Sequence, residues 1–104
     1  MLTAMSALGT LLTGTITDTA SAITALTGYN ATTIKTASRA VITARTGGIM
    51  FTYNGTTPTV LIGHYLAASA NISVEGAANI AALQFIREAG TSCSITITLE
   101  TDQS

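Results

Sequence analysis

Charged side chains are scarce in this chain of 104 residues. Four Lys and Arg and five Asp and Glu together make up 9% of the sequence, and the formal net charge is −1. Soluble domains usually carry about 25% charged residues, and surface charge keeps free monomers apart. Interface cores, in contrast, are depleted in charge. The composition therefore favours a protein whose faces become buried in an assembly over a free monomer with a neutral, hydroxyl-rich surface.

Clustered basic residues and long apolar runs are also lacking. The four basic side chains are scattered between Lys35 and Arg87, whereas proteins that bind nucleic acids or anionic lipids group their Lys and Arg. Every apolar run is broken well before the about 18 residues that a transmembrane helix requires. Residues 1–5 lack the cationic start of a signal peptide. We expect no nucleic-acid partner, no membrane association and no targeting segment.

The chain has one cysteine, Cys93, and one histidine, His64. A lone cysteine forms no intrachain disulfide, which fits folding in a reducing compartment, and we expect Cys93 to be a small buried hydrophobe. We expect His64, in an apolar segment, to be a hydrogen-bonded structural residue. The two residues do not supply the four ligands of a structural zinc site, and no carboxylates have the spacing of a catalytic dyad. The sequence therefore predicts no metal, no cofactor and no enzymatic activity.

Tryptophan is absent, and three Tyr and two Phe supply all the aromatic rings. Phe51 and Tyr53 share one face of a predicted strand with Ile49, which predicts core packing rather than the exposed aromatic platform of a carbohydrate-binding module. Tyr29 lies in a Gly-Tyr-Asn turn, and it is the aromatic residue that we expect to be exposed.

After residue 28, short segments alternate apolar and polar residues with the period of two that is typical of half-buried strands. The segments predicted as strands are Thr32–Thr36, Arg39–Arg45, Ile49–Tyr53, Val60–Leu66, Asn71–Glu75, Ile80–Glu88 and Ser94–Glu100. Ile80–Glu88 also contains good helix formers, but its alternation favours a strand. Ser94–Glu100 is the clearest strand, because Ile95, Ile97 and Leu99 all fall on one face.

About seven short strands separated by turns predict an all-β fold, a single small antiparallel β-sandwich or jelly-roll-like barrel. Asn54, Gly55 and Pro58 mark a structural turn, because Asn-Gly adopts positive φ readily and Pro cannot donate to a ladder. We assign the sandwich to residues 29–104. Residues 1–28, rich in Thr and Ala, are expected to form an extended N-terminal arm or edge strands.

An extended arm is suited to crossing a subunit boundary, because strand addition supplies backbone hydrogen bonds without requiring charge. Leu11, Leu12 and Ile16 of this segment, together with Tyr29, are therefore the residues that we expect at an interface between subunits.

Five blocks between residues 37 and 100 form a recognisable series: Arg39-Ala40-Val41-Ile42, Asn54-Gly55-Thr56-Thr57-Pro58-Thr59, Gly63-His64-Tyr65-Leu66, Phe85-Ile86-Arg87 and the final alternating Thr strand. Together they resemble a group of small virion proteins of tailed bacteriophages. Residues 67–70, Ala-Ala-Ser-Ala, depart from the pattern, which has a glycine-containing turn there. The resemblance implies no active site, so no functional residue is carried over.

The resemblance implies a component of a virion, assembled in the host cytoplasm. With the charge-poor composition, it leads us to expect a capsid decoration protein of the phage head, a homo-oligomer with a trimer favoured. Its partner would be the major capsid protein or another virion protein. The alternatives are a head–tail joining or tail component, and a glycan-binding module, against which the absence of Trp counts.

Overall fold

The computed structural model describes residues 5–88 and 92–102 of the chain. Strands account for most of the regular structure, and the helices are short. In chain order the elements are β1 (Met5–Ile16), β2 (Ser21–Ala22), a 3₁₀ turn (Ile23–Ala25), α1 (Ala31–Thr36), β3 (Arg39–Ala44), β4 (Ile49–Thr52), β5 (His64–Leu66), β6 (Asn71–Glu75), α2 (Ala77–Ala81), β7 (Gln84–Arg87) and β8 (Cys93–Asp102).

The strands form two four-stranded antiparallel sheets. The first sheet has the order β1-β8-β3-β6, and the second has the order β2-β7-β4-β5. The buried apolar side chains of both sheets form one core cluster. The expectation of a small all-β antiparallel sandwich is confirmed.

The central strand of the first sheet is β8, which pairs with β1 on one side and β3 on the other. Ile95, Ile97 and Leu99 are buried, while the Thr residues between them are partly exposed. β3 alternates in the same way, with Ala40 and Ile42 buried. Because side chains alternate across a strand, both predicted strands place their apolar faces against the second sheet, as expected.

The strand predicted at Thr32–Thr36 is wrong, because this segment forms helix α1. The side-chain oxygen of Asn30 accepts hydrogen bonds from the backbone N–H groups of Thr32 and Thr33, at 2.9 and 3.2 Å. An Asn at this position caps the first turn of a helix. The cap, with the burial of Ile34, outweighs the preference of Thr for extended backbone.

The strand predicted over Ile80–Glu88 covers two elements, and only its second half is correct. The first residues belong to α2, whose Ile80 is buried. The chain then turns at Ala82, and β7 follows with Phe85 and Ile86 buried. The helix-forming Ala residues therefore decide the structure at the start of the segment, and the alternation decides it at the end.

Residues 5–28 are built into both sheets as edge strands. β1 pairs with β8, and β2 pairs with β7. Leu12, Ile16, Ile23 and Leu26 are buried in the core cluster. The described part of this segment is therefore not a detached arm. It forms edge strands and supplies side chains to the core of the sandwich.

Two of the expected interface residues are contradicted by this arrangement. Leu12 and Ile16 are fully buried within the chain, and Leu12 lies opposite Ile97 of the central strand. Leu11, which is 49% exposed, projects into solvent. Tyr29, which was expected to be exposed, is half-buried and packs against the core.

Substitutions of the adjacent Leu11 and Leu12 distinguish a surface position of β1 from a core position. Leu12→Ala removes a fully buried side chain and should lower the free energy of unfolding by about 2–5 kcal/mol. Leu11→Ala removes a half-exposed one, so its cost should be about 1 kcal/mol or less. Urea denaturation of both variants measures the difference. Equal costs would contradict the assignment of β1 to the core.

Candidate functional site

The two sides of the sandwich are closed to different extents. On the side of β1 and β2, Thr13 and Thr27 exchange two backbone hydrogen bonds of 3.1 and 2.9 Å, and the N–H of Arg87 donates to the carbonyl of Thr17 at 3.0 Å. These bonds join β1 to the segment that follows β2, and the residue after β1 to β7 of the second sheet. We call this the closed side.

On the opposite side, the edge strands β5 and β6 face solvent. β5 pairs only with β4 and β6 only with β3, and between these two described strands no backbone hydrogen bond is formed. The turn at residues 67–70 connects them, anchored by the Ser69 N–H on the carbonyl of Ala44 at 2.8 Å. Ser69 has φ of +68°, in the left-handed region that favours glycine. We call this the open side.

A cleft of about 610 Å³ lies on the open side. One wall is formed by Phe51, Tyr53 and residues 63–65, and the other by residues 72–75 and Asn79. The cleft is therefore bounded by the edge of each sheet and by α2, which follows β6 directly.

Inner-face side chains reach the surface in this cleft. His64 lies opposite Phe51 in the pairing of β5 with β4, and Ile72 lies opposite the buried Ile42 in the pairing of β6 with β3. By strand alternation both side chains belong to the inner faces of the sheets. Nevertheless, His64 is exposed and Ile72 is 37% exposed. The interior of the sandwich is thus uncovered between β5 and β6.

Three rings form a cluster at the mouth of the cleft. The rings of Tyr53 and His64 are stacked, with centroids 5.5 Å apart and planes at 19°. The ring of Phe51 lies 5.5 Å from that of His64 and 6.5 Å from that of Tyr53. The cluster connects the buried core, through Phe51, to the solvent.

Two sequence-based expectations are corrected by this cluster. His64 was expected to be a hydrogen-bonded structural residue, but it is an exposed ring that stacks on Tyr53. Tyr53 was expected to pack in the core with Phe51, but it is 37% exposed. The reason is that β4 ends at Thr52, so Tyr53 already lies in the turn that follows.

The loop from β4 to β5 contains the predicted structural turn. The side-chain oxygen of Asn54 accepts a hydrogen bond from the N–H of Thr56 at 3.2 Å, and Gly55 has φ of +87°. Pro58 is buried. These residues hold the loop in place. They lie beside the cleft and are not among its lining residues.

The same loop ends in an ordered apolar tip, formed by Val60, Leu61 and Ile62. Thr59 and Ile62 exchange two backbone hydrogen bonds of 2.9 and 3.1 Å, and the Thr59 hydroxyl accepts from the N–H of Leu61 at 3.2 Å. The strand predicted over Val60–Leu66 is therefore confined to its last three residues. Leu61 is 89% exposed, and its two neighbours are each about half exposed.

Ionisable groups are sparse around the cleft. Glu75 is its only lining carboxylate, and none of its lining residues is Lys or Arg. Arg39, the cross-strand neighbour of Glu75, forms an ion pair with Glu100 at 2.6 Å. Because the Glu75 side chain shares the outer face of the first sheet with Arg39, the cleft itself is close to neutral.

Outside the cleft, the part of the chain that the structure describes has few reactive or metal-binding side chains. Cys93 is buried, and its thiol donates to the carbonyl of Gly47 at 2.7 Å. No three or more His, Cys, Asp or Glu side chains among the described residues are grouped to hold a metal ion. Within the same residues, no helix has the length and apolar composition to cross a bilayer.

Comparison with known proteins gave no match. No protein-family model matches the chain, and neither does any curated protein or solved structure. The likeness to phage virion proteins therefore rests on the sequence motifs alone, and function is inferred from the residues of this chain.

Gly63 positions His64 and the apolar tip, and its replacement should be costly. Its φ is +136°, and a Cβ there would lie 3.1 Å from the backbone oxygen of Phe51. Gly63→Ala should lower the free energy of unfolding by about 1–3 kcal/mol, measured by urea denaturation.

Gly55→Ala is the matched control for Gly63→Ala. Its φ is also positive, +87°, but a Cβ there meets nothing within 4 Å. The cost should therefore be only the left-handed backbone strain, about 1 kcal/mol. If both variants were equally stable, the close approach of Gly63 to Phe51 would not constrain the fold.

Proposed function

We propose that this chain is a structural protein of a bacteriophage virion, a capsid decoration protein that stabilises the phage head through capsid contacts and through self-association at the apolar tip on its open side. The observation that carries the proposal is the ordered exposure of Val60, Leu61 and Ile62. The resemblance of residues 37–100 to small virion proteins supports the virion as the place of assembly.

Exposed apolar side chains are concentrated on one side of the molecule. Among the described residues, every exposed large hydrophobic side chain except Leu11 lies between residues 53 and 72. Scattered single hydrophobic residues are normal on a surface, but a contiguous group marks an interaction site. Because the tip is held by three hydrogen bonds, a partner would bind it with little loss of conformational entropy.

The rest of the surface suits close packing between neutral subunits. On the outer face of the first sheet, the register places Thr13 opposite Thr96, Thr96 opposite Thr43, and Thr43 opposite Asn71. Such a row presents hydroxyl and amide groups without charge. Copies of a nearly neutral chain repel one another little, so many can be packed side by side.

Head–tail joining or a tail position is the alternative within the virion. The same apolar tip would serve there, so copy number separates the two roles. Quantitative mass spectrometry of purified particles should give hundreds of copies for a decoration protein. A dozen or fewer would favour a joining ring.

Charge at the apolar tip should abolish self-association. Leu61→Asp places a carboxylate at the most exposed tip position, where burying it in an interface is strongly unfavourable. We expect the wild-type chain to elute as an oligomer, and Leu61→Asp to give the 10.6 kDa monomer. Light scattering after size exclusion measures both masses.

Thr24→Asp is the matched control, because Thr24 is exposed in the 3₁₀ turn, outside residues 53–72 that make up the apolar surface. It adds the same charge and should leave the oligomer intact. Both substitutions are on the surface and should change stability by about 0.5 kcal/mol or less. An oligomer that survives Leu61→Asp would refute the role of the tip.

A further inference from the structure

We propose that the cleft between β5 and β6 binds a neutral sugar, the terminal hexose or N-acetylhexosamine of a surface glycan. The proposal concerns the cleft and not the apolar tip, so it does not depend on the position of the chain in a particle. It assigns to Tyr53, His64 and Asn79 a binding role that the fold itself does not need.

The cleft has the size of a ligand site. Its volume is about 610 Å³, and pockets that hold small ligands measure about 300–1,000 Å³. Its walls come from two edge strands of different sheets that share no backbone hydrogen bond and are joined by the turn at residues 67–70. The walls are therefore preformed, and a sugar can enter without separating paired strands.

The stacked rings provide the apolar surface that a pyranose requires. A sugar ring presents a face of C–H groups, and such a face packs against an aromatic plane. Tyr53 and His64 lie at 19° to each other and are both exposed. Phe51, which is buried, holds the pair from the core side through its contact with His64.

The opposite wall carries hydrogen-bonding groups for sugar hydroxyls. Asn79 donates its side-chain N–H to the backbone carbonyl of Glu75 at 3.0 Å, which fixes the amide and leaves its oxygen as an acceptor. The register with Arg39 and Val41 puts the side chains of Glu75 and Ser73 on the outer face of the first sheet. The wall therefore offers sugar hydroxyls the Asn79 amide and the unpaired backbone edge of β6.

Charge in the cleft selects against acidic ligands. No lining residue is Lys or Arg, so a sialic acid, a uronic acid or a phosphate would find no counter-charge. Neutral polar ligands with one apolar face match the walls. The cleft should therefore discriminate between neutral and sialylated forms of one glycan.

The test is binding of the full chain to an array of glycans ending in glucose, galactose, mannose, N-acetylglucosamine or N-acetylgalactosamine, with sialylated counterparts. We expect binding to at least one neutral terminus and none to its sialylated form. Tyr53→Ala should weaken that binding about tenfold or more, equivalent to about 1.4 kcal/mol. Tyr53→Phe should retain it, and so should Leu61→Asp, which leaves the cleft unchanged.

A second measurement needs no variant. His64 is the only histidine of the chain, so its ring signals in the NMR spectrum are identified directly. Titrating the free monosaccharide of the bound class should shift these signals. Absence of any glycan binding, binding unaffected by Tyr53→Ala, or unchanged His64 signals would each overturn the proposal, and none would bear on the mass of the oligomer.

Discussion

The burial of one face of β8 is the constraint on which the fold depends. Ile95, Ile97 and Leu99 enter the core from the centre of the first sheet, with β1 and β3 paired on either side. Because successive side chains point to opposite faces, a shift of one residue would bury threonines and expose these three. The alternation thus fixes the register of three strands at once, and the second sheet packs on the face that results.

With the sheets fixed in this way, their edges decide which surfaces are available for binding. Edge strands present unpaired backbone groups, and proteins generally cover or shorten them. Here the closed side is covered by hydrogen bonds such as that from Arg87 to Thr17. The open side has only a three-residue β5, a five-residue β6 and the connecting turn. The apolar tip and the cleft both follow from this asymmetry.

How much could be predicted from the sequence depended on whether the local pattern agreed with tertiary packing. Arg39–Ala44 and Ser94–Glu100 alternate cleanly and were predicted correctly, because one face of each is buried. Thr32–Thr36 was predicted wrongly, because the side chain of Asn30 caps a helix there. The burial of Leu12 in the first sheet required knowledge of its pairing with Ile97, which no local pattern contains.

The site was harder to predict than the fold. Apolar character at Val60–Ile62 is expected in a strand, and only the turn closed by Thr59 and Ile62 shows that these side chains face solvent. His64 and Ile72 come together in one cleft through the packing of two different sheets. A signal was nevertheless present, because the glycine and proline of the preceding loop indicate that the chain does not continue as a regular hairpin.

The most direct test of the assembly role is amide hydrogen exchange, measured on the free chain and on the assembled form. We expect slower exchange in residues 59–75 of the assembled form, with exchange in β1 and β2 unchanged. Protection confined to residues 5–27, with residues 59–75 exchanging as fast as in the free chain, would contradict it.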